Sequence, residues 1–466
     1  MIFREYNSVI SVYNYPSNSV ISVFLYDARY YLNVKRLIYD QLIKWIDDED
    51  RRPLLLEGVR QCGKTYILNQ LGAEHFTNTV YCNFEKMPIL STFFEKDLDP
   101  KRIMTEIEIF FNTKIAAGTT LLIFDEIQQC PNAITSLKYF CEEAGEYHVA
   151  AAGSLLGLLT SKPKSFPVGK VERMTMRPMS FYEFLMADGH DMLAERMMNG
   201  DPTEPLPEAL GSLAEDELRM FFITGGMPKV VESWTRERDL KKVSKLQSQI
   251  LTDYEDDMAK HGGDMLPKLV RIWHSIPGQL FKENNRFMFR DVGFDRSEDA
   301  ADPVQWLVSA GLLIKVKRTD NINMPLSESD DDNLYKLFMS DIGLLRCMAD
   351  VPPNYVQTDD EKYRFHKGGI TENFVITEII DAYPKGLHYW TDGRYEVDLL
   401  VESNLSVVPI EIKSGRRVKA KSLGRYIDEY APERIVVVSM EEAKKGRVEA
   451  VPLYCAGSLK DILKEG

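Results

Sequence analysis

Long apolar runs are missing from this 466-residue chain. None approaches the roughly 18–20 residues that a membrane-spanning helix needs, so a bilayer protein is not expected. Low-complexity tracts are missing as well. The N-terminus has no basic region followed by an apolar h-region, which argues against a signal peptide. Cysteine is scarce and scattered, at 62, 82, 130, 141, 347 and 455, with no CxxC pair. That excludes a structural zinc module of the usual spacing and a disulfide framework, and it points to the cytosol. An excess of positive charge is lacking too. The net charge of −14 argues against a general nucleic-acid coat protein. One local exception stands out. Lys413, Arg416, Arg417, Lys419, Lys421 and Arg425 fall within thirteen residues that contain no acid.

What is present is the composition of a globular protein, 44% hydrophobic and 27% charged, too long for a single core. Residues 1–30 repeat Asn-Ser-Val-Ile-Ser-Val at 7–12 and 18–23, too few copies for a repeat architecture. They are read either as a small hairpin or as an extension upstream of the natural start, with no assigned function. From 31 to 180 the chain alternates helical periodicity with short apolar strands. A helix is expected over Val34–Trp45, with strands at Leu54–Leu56, Val80–Phe84, Leu121–Phe124 and Val149–Ala152. This alternation implies a parallel sheet covered on both faces. Residues 181–265 read as a helical lid or linker. Over 266–333 the order helix, helix, strand suggests a winged helix, with Leu312–Lys317 opening the wing and the acidic Ser327–Asp332 at a mobile tip. Residues 334–466 form a third α/β unit.

The first motif is Gly58-Val59-Arg60-Gln61-Cys62-Gly63-Lys64-Thr65, with Tyr66 next, between an expected strand and an expected helix. In that context the glycines let the backbone curl, so that N–H groups and a helix N-terminus face phosphate oxygens. Lys64 then reaches the β/γ-phosphates of ATP and Thr65 ligates Mg²⁺. Sixty residues beyond Thr65, Leu121-Leu-Ile-Phe-Asp-Glu126 places Asp125 at a strand end to hold Mg²⁺, and Glu126 beside it to polarise the attacking water. Two acids ending a strand can also be a solvated strand end. Ser154, after Ala150-Ala-Ala-Gly, is the candidate sensor of the γ-phosphate, or else part of a simple turn. Lys170, Arg173 and Arg177 are candidates to stabilise transition-state charge.

These motifs and their order resemble the prokaryotic AAA-type ATPases that carry an uncharacterised C-terminal domain with a restriction-endonuclease-like core. The landmarks are Val34-Lys-Arg-Leu-Ile-Tyr-Asp, Gly58–Thr65, Phe124-Asp-Glu-Ile-Gln128, Ala152-Gly-Ser154 and Met179-Ser-Phe-Tyr-Glu-Phe184. Further along come Thr224-Gly-Gly-Met-Pro228, Asp253-Tyr-Glu-Asp-Asp257, Lys336-Leu-Phe-Met-Ser-Asp-Ile-Gly-Leu344 and Gly369-Ile-Thr-Glu-Asn-Phe374. The resemblance implies nucleotide hydrolysis, a winged-helix middle and a nuclease-like end, and it names no substrate. Gly169-Lys170 stands where that family usually has Gly-Arg, so the charge-stabilising residue stays open.

In the last unit, Glu396-Val-Asp-Leu-Leu-Val and Pro409-Ile-Glu-Ile-Lys413 read as a hairpin. Alternation puts Asp398 and Glu396 on one face, and likewise Glu411 and Lys413. With Glu372 from an earlier helix, Asp398, Glu411 and Lys413 complete a PD-(D/E)xK pattern. Its hard oxygen ligands suit Mg²⁺ or Mn²⁺, and Lys413 would stabilise developing charge. The plain alternative is that the acids solvate one strand face. The sequence thus supports an ATPase whose C-terminal unit cuts or binds DNA or RNA, or a nucleotide-dependent switch that binds nucleic acid or a protein without cutting. AAA-type sites often lie between subunits, so a homo-oligomer is also an expectation.

Overall fold

The computed structural model describes residues 35–161, 165–282, 284–320, 322–358, 361–403, 406–415 and 421–464. The expectations for residues 1–30 and for Val34 lie outside them, as do Arg416, Arg417 and Lys419 of the basic run. The chain divides into two compact units, Met1–Arg177 and Pro178–Gly466.

The described part of the first unit opens with α1 (Tyr39–Asp47) and β1 (Leu54–Gly58). There follow α2 (Lys64–His75), β2 (Asn78–Asn83), α3 (Pro100–Phe111) and β3 (Thr120–Asp125). The unit closes with α4 (Pro131–Glu143), β4 (His148–Ser154), α5 (Leu155–Thr160) and β5 (Glu172–Met176). The five strands are all parallel, in the order β2-β3-β4-β1-β5. Their apolar runs look continuous in sequence because both faces are buried. Leu55, Leu122, Phe124 and Ala151 face a layer holding Ile103 and Ile107 of α3 and Leu137 and Phe140 of α4. Leu54, Leu56, Leu121, Ile123, Ala150 and Ala152 face the opposite layer, with Leu42 and Trp45 of α1 and Ile67, Leu68 and Leu71 of α2. Strand alternation divides one apolar run between two cores. β5 has no counterpart in the sequence reading. It carries Glu172, the exposed Arg173 and the exposed Thr175 among its five residues, which breaks the apolar signal at this sheet edge.

The second unit begins with five helices: α6 (Phe181–Ala187), α7 (Asp191–Met198), α8 (Glu208–Thr224), α9 (Pro228–Glu237) and α10 (Leu240–His261). Ser180 and Glu183 form a reciprocal capping box at the start of α6. Next come α11 (Leu266–Leu280), α12 (Glu298–Ser309), β6 (Leu313–Thr319), β7 (Asp330–Met339), α13 (Ile342–Met348), α14 (Pro353–Gln357) and α15 (Arg364–Ile379). The remainder is β8 (Leu387–Thr391), β9 (Glu396–Ser403), β10 (Ser406–Ile412), α16 (Lys421–Tyr430), β11 (Ile435–Ser439), β12 (Val448–Pro452) and α17 (Leu459–Lys464). Among the described residues its seven strands join one mixed sheet in the order β12-β11-β10-β9-β8-β6-β7.

The order helix, helix, strand expected over 266–333 is present in α11, α12 and β6. Its strands, however, do not stand apart as a wing. β6 pairs in parallel with β8, and the expected boundary at 333/334 falls inside β7. Asp330 and Asp331, expected at a mobile tip, pair with Thr319 and Arg318 in the ladder. The physical reason is edge satisfaction: a two-stranded ribbon leaves backbone groups unpaired, and the neighbouring sheet supplies their partners.

Candidate nucleotide site and C-terminal acidic cluster

The parallel sheet brings the C-terminal ends of its strands to one edge. Register places Gly58 beside Ser154 and Met176, and Asn83 beside Asp125. A Cβ on Gly58 would lie 2.1 Å from the Met176 carbonyl oxygen, so only glycine lets the loop leave β1 there. Gln61 (φ 66°) and Gly63 (φ 100°) then take left-handed conformations, and α2 starts at Lys64. These turns build a concave run of backbone N–H groups at a helix N-terminus, which fits phosphate. Val59 and Cys62 are buried in the core, so their contribution to a ligand is backbone. Arg60 is exposed, whereas Tyr66 is half-buried. The buried Lys64 ammonium donates to the carbonyl oxygens of Gly58 (3.0 Å) and Val59 (2.8 Å). The buried Arg36 holds the loop from behind, donating to Cys62 O at 2.9 Å and to Arg177 O at 2.6 Å.

Thr65 Oγ1 donates to Asp125 Oδ2 at 3.0 Å, which unites the two residues expected to hold Mg²⁺. The same carboxylate oxygen accepts from the Tyr81 hydroxyl (2.5 Å) and Asn83 Nδ2 (3.2 Å), while Oδ1 accepts the Glu126 N–H (3.0 Å). All four donors are neutral, so the carboxylate's charge has no resident counter-ion among these contacts. Glu126 sits in the left-handed region (φ 50°, ψ 44°) and accepts from Gln128 Nε2 at 2.6 Å. Ser154 Oγ accepts the Gly157 N–H at 3.0 Å and so caps α5, which leaves its own proton available to donate. The basic candidates Arg173 and Lys170 are engaged within the unit. Arg173 forks onto both oxygens of Glu57 (2.9 and 2.7 Å), and Lys170 pairs with Glu142 at 3.0 Å.

The second unit assembles a different cluster. The hairpin register pairs Ile410 with Leu399 and so brings Glu411 level with Asp398. Asp398 Oδ2 accepts the Ile412 N–H at 2.7 Å and lies 3.6 Å from Lys413 Nζ, which contacts Glu411 Oε1 at 2.6 Å. Asp398, Glu411 and Lys413 are therefore together. Glu372 of α15 stands in the same cluster, within electrostatic reach of Asp398, but has other hydrogen-bond partners. Its two oxygens accept from Lys336 Nζ (2.8 Å) and Asn285 Nδ2 (2.5 Å). Lys336, fully buried on β7, also contacts Glu396 at 2.7 Å. Among the described residues, the three carboxylates expected as metal ligands do not draw within 4.8 Å of one another. The group that does is Asp188, His190 and Glu217. There Arg238 already grips both oxygens of Asp188, at 2.7 and 2.6 Å, so the group is an ion network with its own cation. Of the basic run, Lys421 is exposed and Arg425 pairs with Glu429 at 2.9 Å. No helix among the described residues is long and apolar enough to cross a membrane.

Comparison with known families places this geometry. Residues 50–185 match the model of an AAA domain. An AAA domain is a nucleotide-binding ATPase module that works with ATP and a divalent metal. Residues 215–355 and 367–456 match two models described only as domains of unknown function (DUF8612 and DUF4143). The seven-stranded sheet takes β6 and β7 from the first match and β8–β12 from the second. No curated protein matches the chain. Among solved structures, the crystal structure of Cdc6p from Pyrobaculum aerophilum is 12% identical over 71% of this chain and 96% of its own, at a TM-score of 0.24. A likeness that loose carries no argument about fold or role.

Within the AAA domain, burial and the neighbouring Asp125 push the Glu126 carboxyl above its ordinary range, with Gln128 and Lys64 opposing. In the second unit, burial and Asp398 push Glu411 up to about 7, while Lys413 pulls the other way. Burial also raises Glu372, against the pull of Lys336. Sequence reasoning missed Lys336, Asn285, Gln128, Tyr81, Asn83 and Arg36. Lys336 had a signal: it lies among Tyr335, Leu337, Phe338 and Met339, a lysine within an otherwise apolar strand. Tyr81 and Asn83 also sit two apart on a strand that ends beside Asp125.

Proposed function

We propose that the AAA domain hydrolyses ATP, with Lys64 binding the β/γ-phosphates and Glu126 orienting the attacking water. The observation that carries this reading is the convergence of Thr65, Asp125 and Glu126 at the loop mouth. Thr65 and Asp125 would hold Mg²⁺, which would supply charge neutralisation for the phosphates. On binding nucleotide, Lys64 exchanges the Gly58 and Val59 carbonyls for phosphate oxygens. Glu126, with its raised proton affinity, is suited to hold a water against the terminal phosphate. Ser154 can donate its free proton to that phosphate while continuing to cap α5. The test is ATP turnover in wild type and Lys64→Ala, with nucleotide binding followed separately. Unchanged turnover in Lys64→Ala would reject the assignment.

A second reading concerns residues 364–439. Their connectivity of α15, the β8–β9–β10 meander, α16 and a parallel β11 supports a restriction-endonuclease-like core, which we propose acts on nucleic acid. The specific observation is Glu411 Oε2, a buried carboxylate oxygen with no hydrogen-bond partner, level with Asp398 and beside Lys413. One divalent cation at Asp398 and Glu411 fits that oxygen. Glu372, bound by Lys336 and Asn285, is not among the ligands in this reading. Plasmid nicking with Mg²⁺ or Mn²⁺, in wild type and Lys413→Ala, decides the matter. Equal cleavage in both would exclude this centre. Salt-sensitive DNA binding without cleavage would leave the unit a nucleic-acid-binding switch.

A further inference from the structure

Gln128 stands two residues beyond Glu126, in the short helical turn Ile127–Gln129. Its side chain points back, and Nε2 donates to Glu126 Oε2 at 2.6 Å. A carboxylate can only accept, so the amide orientation is fixed: Nε2 faces Glu126 and Oε1 faces away. Oε1 is buried and has no hydrogen-bond partner. The slot that receives the amide exists because two side chains are missing. A Cβ on Gly153 would lie 2.9 Å from Gln128 Oε1, and one on Gly157 would lie 2.5 Å from its Cγ and 2.8 Å from its Cδ. Gly153 is the residue before Ser154, which ends β4, and Gly157 donates the N–H that Ser154 accepts. The amide therefore bridges Glu126 on one side and the β4–α5 corner on the other.

Packing does not account for this arrangement. A buried acceptor left without a donor carries a desolvation penalty that an apolar side chain of the same length would avoid. What the amide supplies is a directed, charge-assisted hydrogen bond to a carboxylate whose backbone is already in the left-handed region. From this we infer that Gln128 is a positioning residue for ATP hydrolysis: it fixes the direction of the Glu126 carboxylate, with its own side chain locked by the Gly153/Gly157 slot. The inference rests on the reading of Glu126 as the group that orients the attacking water.

The test uses the full chain, steady-state ATP hydrolysis and the affinity for a fluorescent ADP analogue. Gln128→Met keeps the length and fills the slot but removes the donor. It should lower kcat by about tenfold or more, the scale of one hydrogen bond to a charged group. KM for ATP and analogue affinity should stay within about two-fold, because the lost hydrogen bond is to Glu126, which orients the water, and not to the nucleotide. Gly153→Ala leaves Gln128 in the sequence but closes its slot, and should reproduce the kcat loss if Gln128→Met does not fold. Wild-type kcat in Gln128→Met, or a parallel loss of kcat and affinity, would overturn the inference. A wild-type protein that binds the analogue but hydrolyses no ATP would instead overturn the reading of Glu126, a distinct failure.

Discussion

The AAA domain and the C-terminal unit each gather carboxylates at the end of strands, yet they balance the charge in opposite ways. Around Asp125 and Glu126 the donors are Thr65, Tyr81, Asn83, Gln128 and a backbone N–H, none of them charged. Around Glu372, Glu396, Asp398 and Glu411 stand two ammonium groups, Lys336 and Lys413. Neutral donors orient a carboxylate and leave its charge to attract a cation. Resident ammonium groups neutralise it in advance. The first arrangement suits a site that waits for metal and nucleotide. The second suits a folded core that keeps one carboxylate edge, Glu411 Oε2, open.

The largest effect that separates the two follows from Lys64→Ala. ATP hydrolysis should fall by roughly a thousandfold or more, as expected when a principal charge contact to a transferring phosphoryl group is removed. The unfolding of Pro178–Gly466 should be untouched. A change of similar size in the stability of that unit would break the comparison.

Lys336→Met probes the other side. Removing one partner of a buried ion pair leaves Glu372 and Glu396 uncompensated and should cost about 3–5 kcal/mol by denaturant unfolding. Adding Glu372→Gln should recover part of the loss. No loss in the single variant would mean that the lysine does not neutralise the cluster.

A third difference is in pH dependence. Burial raises Glu378 to about 8 and Asp341 to about 6, both in the second unit. Glu378 accepts the Phe181 N–H at the start of α6, and Asp341 accepts those of Gly226 and Leu344. Their folded-state proton affinities exceed those of the unfolded chain, near pH 4. Their contribution to stability is therefore full below about pH 4 and is lost as pH rises through about 6 and 8. The unfolding midpoint of this unit should fall between pH 5 and pH 9, and Glu378→Gln should flatten the upper half of that fall. A midpoint that rises over this range in wild type would contradict the assignment. The smallest effect is expected at Arg425, whose exposed pair with Glu429 should contribute no more than about 0.5 kcal/mol when tested by Arg425→Ala.

The same contrast explains what the sequence made legible. The phosphate loop could be read because its chemistry is local: eight consecutive residues, their glycines and a helix start define the site. Asp125 and Glu126 followed from a strand end. The C-terminal cluster is assembled from β7, α15, β9 and β10, so its decisive member, Lys336, sits 36 residues before Glu372 in the chain. Local patterns carry no record of such a meeting. The winged-helix expectation met the same limit. α11, α12 and β6 are periodic and readable, but the pairing of β6 with β8 joins strands about seventy residues apart. Gln128 stood in view within Phe124-Asp-Glu-Ile-Gln128, but its role depends on the empty space at Gly153 and Gly157, which only packing reveals.

We propose above all that the AAA domain is a working hydrolase with Glu126 directing the water. Single-turnover hydrolysis of ATP by Glu126→Gln, with ATP binding measured on the same preparation, tests it most directly. Retained binding with hydrolysis slowed by roughly 10²–10⁴-fold is expected. Hydrolysis at the wild-type rate would contradict it.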